Sequence, residues 1–441
     1  MVKVTKFGGS SLADANQFRK VAAIIRADHT RRYVVASAPG KRGANDIKVT
    51  DLLLECFRRT RTGESIDEPF GLIQERFRTI MEDLGLQDDL EPEFRKIRTA
   101  ILNYAGSDYI ASRGEYLNAR ILAKYLGYAF IDAEYVIYFR EDGRLDSERT
   151  NERLSEVLSR TPRAVIPGFY GSMPNGTIKT FSRGGSDVTG SIVARAASAS
   201  LYENWTDVSG MLMADPRIVD DPLPISRITY RELRELAYMG ASVLHEEAIF
   251  PVRMAGIPIN IRNTNRPDDE GTMIVPGTDF APSSTVITGV AGKKGFSAVY
   301  IEKAMMNAEL GVGRRVLGIM ERHGISFEHL PSGIDTMTVV VNTEDIAKDR
   351  GLILEEIHRI IRPDHLTVHD NLALIAVVGR GMIRTPGTAA RIFVALANAN
   401  VNIRMIDQGS SELNIIIAVD STNYTRAIQA IYNEFAVPSK G

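Results

Sequence analysis

The chain has 441 residues, 44% of them hydrophobic and 24% charged, with a formal net charge of −2 and a pI near 6.4. That balance predicts ample core for two to four domains, and the lack of a basic surplus argues against nucleic acid or an anionic membrane as partner. A lone cysteine, Cys56 in the apolar run "TDLLLECF", excludes an internal disulfide and a cysteine metal site, and no apolar targeting core or 18-residue apolar run is present, so a soluble, cytoplasmic protein is expected.

In chain order, Val2 and Val4 alternate with polar residues and predict a first strand, followed by "KFGGSS" from Lys6 and a helix opening at Ser10–Asp14. Strand, glycine turn and helix together can hold phosphate on backbone N–H groups. Further strands are predicted at "RYVVASA" (32–38), "YAFID" (128–132), "AVIPGF" (164–169), "LYENW" (201–205) and "IPINI" (257–261), with helical stretches between them. Such alternation implies a parallel sheet covered by helices. Thr229 and Glu232 form a capping-box pattern ahead of Leu233, Leu236 and Ala237.

Between about 265 and 285 the chain turns rich in Pro, Gly and Asp, which places a domain boundary there. Beyond it lies an internal repeat. "GVGRRVLGIMERHGISFE" (311–328) matches "GTAARIFVALANANVNIR" (387–404), and the same offset aligns "TMTVVV" (336–341) with "ELNIII" (412–417) and the helix around Leu352–Ile360 with Ile428–Ala436. Each unit reads βαββαβ, the ferredoxin-like order. The second unit runs out before its closing strand, and "TVITGVAG" (285–292) is left without a role in the first. The early strand is therefore expected to complete the second unit.

A second glycine site, "TFSRGGSDVTG" (180–190), sets Arg183 before Gly184-Gly185 and Asp187 on a helix opening. Backbone N–H groups there can hold polyphosphate, and an arginine can clamp a carboxylate with two bonds. The alternative is an N-cap at Asp187 beside an ordinary surface arginine. The familiar phosphate motifs are absent: "APGKRG" (38–43) lacks the upstream Gly and the final Ser/Thr of a P-loop, and "GVGRRV" has Val316 where a dinucleotide fingerprint needs Gly. "HEEAI" at His245 lacks the second His of a zinc-protease helix.

In order, "KFGGSS", "SRGEYLNARIL" (112–122), "FSRGGSD" (181–187), "ENWTDVSGMLMADPR" (203–217) and "YMGASVLHEEAIFP" (238–251), with the paired units behind, closely resemble the aspartate kinases of the amino acid kinase superfamily with C-terminal ACT domains. The resemblance covers essentially the whole chain. It implies an α/β fold: an αβα sandwich on a mainly parallel sheet over 1–280, a first ACT domain over 297–370, and a discontinuous second one from 285–296 plus 371–441.

The resemblance also implies a reaction, phosphorylation of the side-chain carboxylate of L-aspartate by ATP with Mg²⁺ to give 4-phospho-L-aspartate, the committed step toward lysine, threonine and methionine. In it Lys6 neutralises the γ-phosphate and Gly8, Gly9, Ser10, Gly184 and Gly185 hold phosphate oxygens. Arg183 binds the α-carboxylate of aspartate and Glu115 its α-ammonium, with Asp187 close by and Ser37, Thr50 and Ser186 bordering the same pocket. Thr206, Asp207, Leu212, Asp215, Arg217 and Ser242 fall on nucleotide-contacting stretches. Ser242 stands where many relatives have a lysine, and Leu212 where some have a tyrosine against adenine. Mg²⁺ is expected on ATP oxygens and water, without a dedicated carboxylate cage. Sibling kinases for glutamate, acetylglutamate, carbamate or UMP, and a decayed kinase serving as an amino-acid sensor, are the rival readings. The ACT pair implies control by an end product, lysine or threonine, with lysine favoured because Glu309 and Asp335 lie near the expected pocket. That pocket is drawn from Met306, Gly311, Ser332 and Asp335, and a homodimer or a dimer of dimers is implied.

Overall fold

The computed structural model describes residues 1–87, 89–182, 184–241, 244, 246–277 and 285–436, without the side chains of Glu246 and Glu247. The chain divides into two compact units, one made of Met1–Met211, Pro224–Tyr230 and Val243–Asp279, the other of Leu212–Leu223, Arg231–Ser242 and Phe280–Gly441.

Among the described residues the first unit holds an eight-stranded sheet. Its strands are β1 (Lys3–Phe7), β2 (Arg31–Ala36), β3 (Ala129–Phe130), β4 (Ala164–Pro167), β7 (Leu201–Thr206), β8 (Arg227–Thr229), β9 (Ile259–Asn263) and β10 (Thr272–Val275). A hairpin of β5 (Tyr170–Ser172) and β6 (Ile178–Thr180) stands apart from it. The sheet order is β8-β10-β9-β7-β1-β2-β4-β3, and every pairing is parallel except β9 with β10. Parallel strands need crossovers, which the helices supply: α1 (Ala15–Arg26), α2 (Val49–Thr62), α3 (Asp67–Asp83), α4 (Glu91–Leu102), α5 (Ser107–Leu126), α6 (Ser147–Arg160), α7 (Gly185–Ala196) and α8 (Glu246–Met254).

Strand alternation sorts the two faces. Phe7 pairs in register with Trp205, their rings stack at 5.9 Å, and both join the core formed with α1 to α5. Val4 and Lys6 point to the other face, in register with Tyr202 and Asn204. There Tyr202 donates its hydroxyl to the Asp187 carbonyl, and Gly190 lies so close that a Cβ would sit 2.4 Å from that hydroxyl. Gly190 is what lets α7 approach β7. On the core side, Glu203 accepts from Arg31 and from the Trp205 indole, so a carboxylate that is 1% exposed is fully partnered.

The second unit carries one six-stranded antiparallel sheet, built from β11 (Gly289–Glu302), β12 (Phe327–His329), β13 (Thr336–Asn342), β14 (His365–Val378), β15 (Ile403–Asp407) and β16 (Asn414–Asp420) in the order β12-β13-β11-β14-β16-β15. Helices α9 (Val312–Arg322), α10 (Arg350–Ile361), α11 (Thr388–Asn398) and α12 (Tyr424–Ala436) cover it, α9 and α11 keeping the sequence offset residue for residue. The two repeats do not have separate sheets. β11 and β14 are each 14 residues long and paired along their length; Phe296–Glu302 lies between β13 and the start of β14, while Gly289–Lys294 pairs with Ala373–Val378, which in turn holds β16. Gly289–Gly292, the end of the stretch 285–292, and the first strand of the first repeat are therefore parts of one strand. Both strands bulge where the repeats meet, with Gly295 at φ +96 and Asn371 at φ +59.

Two local expectations are corrected. Gly9–Leu12 is a single 3₁₀ turn, and the helix proper starts at Ala15, where the Asp14 carboxylate caps the Gln17 N–H at 3.0 Å. "YAFID" supplies only a two-residue edge strand. The expected boundary near 280 lies within 278–284, outside the described residues.

Candidate active site

Open parallel sheets collect their functional groups beyond the carboxyl ends of the strands. Lys6 is the next-to-last residue of β1, and its side chain, 9% exposed, brings the ammonium to the Asp187 carboxylate at 2.6 Å. The same Asp187 oxygen accepts from Asn204 Nδ2 at 2.8 Å. Three elements thus meet at one point: β1 and β7 through their register, α7 through its first turn.

α7 begins in the second glycine turn. Gly184 is its N-cap at φ +57, a conformation open to glycine at no steric cost, and no side chain caps the helix. The N-cap alternative for Asp187 is therefore corrected, because its carboxylate serves Lys6 and Asn204 instead. Uncapped N–H groups and the positive helix end face the side of the sheet where Lys6 lies. Gly185 sits against the Phe169 ring, and Gly168 against Ser186, where a Cβ would come within 2.6 Å of the hydroxyl oxygen. Arg183 lies outside the described residues.

The first glycine turn is as tightly set. Gly8 N–H donates to the Trp205 carbonyl at 3.0 Å, which anchors the turn to the end of β7, and an added Cβ would lie 3.6 Å from the Lys6 ammonium. Gly40 N–H donates to the Gly9 carbonyl at 2.8 Å, and a Cβ on Gly40 would stand 2.6 Å from the Gly9 carbonyl carbon and 2.8 Å from Ser10 N. The β2–α2 loop is thereby pressed against Gly9 and Ser10. Ser37, at the end of β2, donates its N–H to Phe7 O, and its carbonyl accepts from Asn118 Nδ2 at 2.7 Å.

Glu115 lies on α5 and is 6% exposed, with Oε2 unpartnered. Burial pushes its carboxyl up to about 8, against a backbone hydrogen bond from Ala38 that pulls the other way. An unpaired carboxyl in a dry setting is costly unless a cation completes it. Thr50, on the first turn of α2, lines a cavity of about 740 Å³ together with Phe169, Ser182 and Val188.

Of the remaining nucleotide candidates, Thr206, Asp207, Asp215 and Arg217 have local partners. Thr206 ends β7 and donates its hydroxyl to the neighbouring Asp207 at 3.1 Å. Leu212, Asp215 and Arg217 belong to the second unit, where Asp215 caps the Arg217 N–H at 2.9 Å and pairs with its exposed guanidinium, an ordinary Asx turn in form. Ser242 lies outside the described residues. Asn204 is the site residue that motif reading missed, although the signal was present: it stands in "ENWTD" at strand spacing from Tyr202 and shares a register with Lys6.

In the second unit, Ser332 and Asp335 are exposed on the loop before β13, and Gly311 is the N-cap of α9 at φ +78. Met306 is buried in the core of the first repeat, so its side chain is not on offer to a ligand. Glu309 is also engaged: Lys303 and Arg315 both bind its carboxylate and hold it below the usual range.

A profile of the amino acid kinase family matches residues 1–263, and an ACT domain profile matches 375–435. Aspartokinase 3 of Bacillus subtilis is 41% identical over 98% of both chains. The solved aspartate kinase of Clostridium acetobutylicum is 52% identical, with a TM-score of 0.89, over 98% of this chain and 99% of that one. E. coli aspartokinase III, solved with aspartate and ADP, is 26% identical with a TM-score of 0.74 over 98% and 99%. The chain belongs to the amino acid kinase family and, within it, to the aspartate kinases. Among the described residues no helix is long and apolar enough to cross a membrane.

Proposed function

We propose that this kinase transfers the γ-phosphoryl group of ATP to the side-chain carboxylate of L-aspartate. A carboxylate oxygen forms the new bond to phosphorus, the bond to the β,γ-bridging oxygen breaks with its electron pair, and ADP and 4-phospho-L-aspartate leave. The acceptor is already ionised at neutral pH, so the chain need not supply a strong base. The work is to bring two anions together and offset charge on the transferring group.

The observation that carries this reading is the pair of buried Lys6 and part-buried Asp187 set between two glycine turns. Lys6 carries the charge toward the phosphoryl oxygens, while Asp187 and Asn204 fix its position. Gly8, Gly9, Ser10, Gly184 and Gly185 offer backbone N–H groups to the phosphates. Glu115 takes the substrate ammonium, which supplies the cation its Oε2 lacks, and Arg183 takes the α-carboxylate, with Ser37, Thr50 and Ser186 bordering. Thr206, Asp207, Leu212, Asp215, Arg217 and Ser242 serve the nucleotide side. Magnesium would neutralise charge on the phosphates, held mainly by ATP oxygens and water, and Asp187, beside Lys6, is the carboxylate that would reach it or its waters.

We further assign 1–280 as the catalytic domain, 297–370 as the first ACT domain and 285–296 with 371–441 as the second. The product points to cytoplasmic lysine, threonine and methionine synthesis and to feedback by an end product. E. coli aspartokinase III solved with lysine and aspartate, a T-state form, supports lysine. Ser332, Asp335 and the backbone at Met306 and Gly311 are the offered contacts. Because Lys303 already holds Glu309, a lysine effector would have to compete with it. A homodimer or a dimer of dimers is the expected assembly.

The test is ADP release with L-aspartate, L-glutamate or no amino acid, with hydroxylamine trapping the acyl phosphate. Aspartate-dependent turnover that falls about 10²–10³-fold in Lys6→Ala is expected, the usual loss when one charge-stabilising group is removed. Glutamate-dependent turnover at the same rate, or none with either, would overturn the assignment.

A further inference from the structure

The 740 Å³ cavity touched by Thr50 is much larger than one edge of an aspartate pocket needs, and it extends away to the seam between α6 and α7. Apolar side chains, led by Phe139, Phe181 and Ile192, form the larger part of its wall, with polar side chains among them. α7 lines it with Val188, Ile192 and Arg195, spaced as one helical face, and α6 with Ser147, Thr150 and Asn151. The two helices are tied at this seam by the Ser155 hydroxyl, which donates to the Ala196 carbonyl at 2.8 Å, one residue past Arg195 and one turn past Asn151.

Two polar groups at this end lack partners. The Arg195 guanidinium, part-buried, makes no hydrogen bond or ion pair among the described residues. The Asn151 amide oxygen is buried and accepts nothing. The cavity's carboxylate, Asp108, is by contrast engaged: Thr180 donates to it at 2.6 Å and Lys179 pairs with it at 3.1 Å. The α6–α7 seam therefore offers one cation without an acceptor and one acceptor without a donor, in a cavity with aromatic side chains on its wall. Such orphaned groups in a concave, apolar chamber are the pattern of a ligand site.

We propose that this chamber binds a small carboxylic acid with a hydrogen-bond donor on the α-carbon and a large apolar side chain, an α-amino or α-hydroxy acid. The carboxylate lies on Arg195, the α-donor on the Asn151 oxygen, and the side chain against Phe139 and Phe181. Of the other basic residues in the lining, Lys179 is already spent on Asp108, and Arg144 is exposed and pairs with Asp142 at 3.8 Å. The inference does not depend on which acceptor the kinase phosphorylates.

Isothermal titration of the full chain with L-phenylalanine, L-3-phenyllactate and 3-phenylpropionate tests it. One saturable site per chain is expected for the first or second acid, with 3-phenylpropionate, which lacks the donor, at least fivefold weaker. The stronger of the first two identifies the natural head group. Arg195→Gln and, separately, Asn151→Leu are each expected to weaken binding at least tenfold while leaving the KM for aspartate within twofold; two variants guard against one failing to fold. No binding by any of the three acids, or binding undiminished in whichever variant folds, would overturn the proposal. So would equal binding of uncharged 3-phenyl-1-propanol, which would mark the chamber as an apolar void alone.

Discussion

Glu115 shows how a single side chain couples burial to function. Its carboxyl is pushed from 4.5 up to about 8 because burial disfavours the charged form. Below pH 4.5 both folded and unfolded chains hold the proton, and the contribution is fully present. As pH rises through 4.5 to 8, the unfolded chain releases the proton and the native one keeps it, so stability falls across that window. Glu115→Gln removes this slope. The ligand-free variant is therefore expected to gain on the parent chain by a few kcal/mol between pH 5 and pH 8, read from urea melts at each pH. In the same reading, the substrate ammonium ionises Glu115, so the KM for aspartate should drop as pH rises from 6 to 8. A flat profile in both measurements would remove Glu115 from the ammonium subsite. The identity of this residue was legible in "SRGEYLNARIL", but its charge state was not, because burial depends on how α5 packs rather than on its neighbours in sequence. Asn204 was hidden for a related reason: it becomes a partner of Asp187 only through the register of β1 with β7.

At the scale of elements, the glycine turns act as fitted parts rather than loose loops. The β2–α2 loop reaches Gly9 and Ser10 because Gly40 has no Cβ; the added methyl would stand 2.6 Å from the Gly9 carbonyl carbon, well inside contact. Both partners are backbone, so the strain cannot be relieved by rotating a side chain. Gly40→Ala is therefore expected to raise the KM for ATP and lower kcat together, about tenfold or more in kcat/KM, with a loss of about 1–3 kcal/mol in stability. Gly43→Ala, three residues on in the exposed part of the same loop, has open space around its Cβ and should match the parent in steady-state kinetics. Equal damage from both changes would argue that the loop is mobile and the contact incidental. The failure of "APGKRG" as a P-loop was readable. That this stretch braces the first glycine turn was not, since the contact joins Gly40 to Gly9, far apart in sequence, and is made by backbone.

At the scale of the whole molecule, the internal repeat was visible as a fixed offset because each repeat buries the same faces of the same elements. Less visible was that the repeats share strands. β11 and β14 each run through both halves, with bulges at Gly295 and Asn371 marking the join. Unfolding one repeat would strip the ladder from half of each shared strand and leave buried N–H and C=O groups unpaired in the other, at a cost of about 1–3 kcal/mol for each. The repeats are therefore expected to open together. Ile353 of α10 is fully buried in the first repeat and Ile428 of α12 is 1% exposed in the second. Ile353→Ala and Ile428→Ala should each cost about 2–4 kcal/mol through lost burial and the cavity left behind. Hydrogen exchange read by mass spectrometry then separates two cases. If the shared strands couple the repeats, either change speeds exchange in α9 and in α11 by similar factors. If each change speeds exchange only in its own repeat, the bulges act as hinges, and the two halves are independent modules that happen to be joined by long strands.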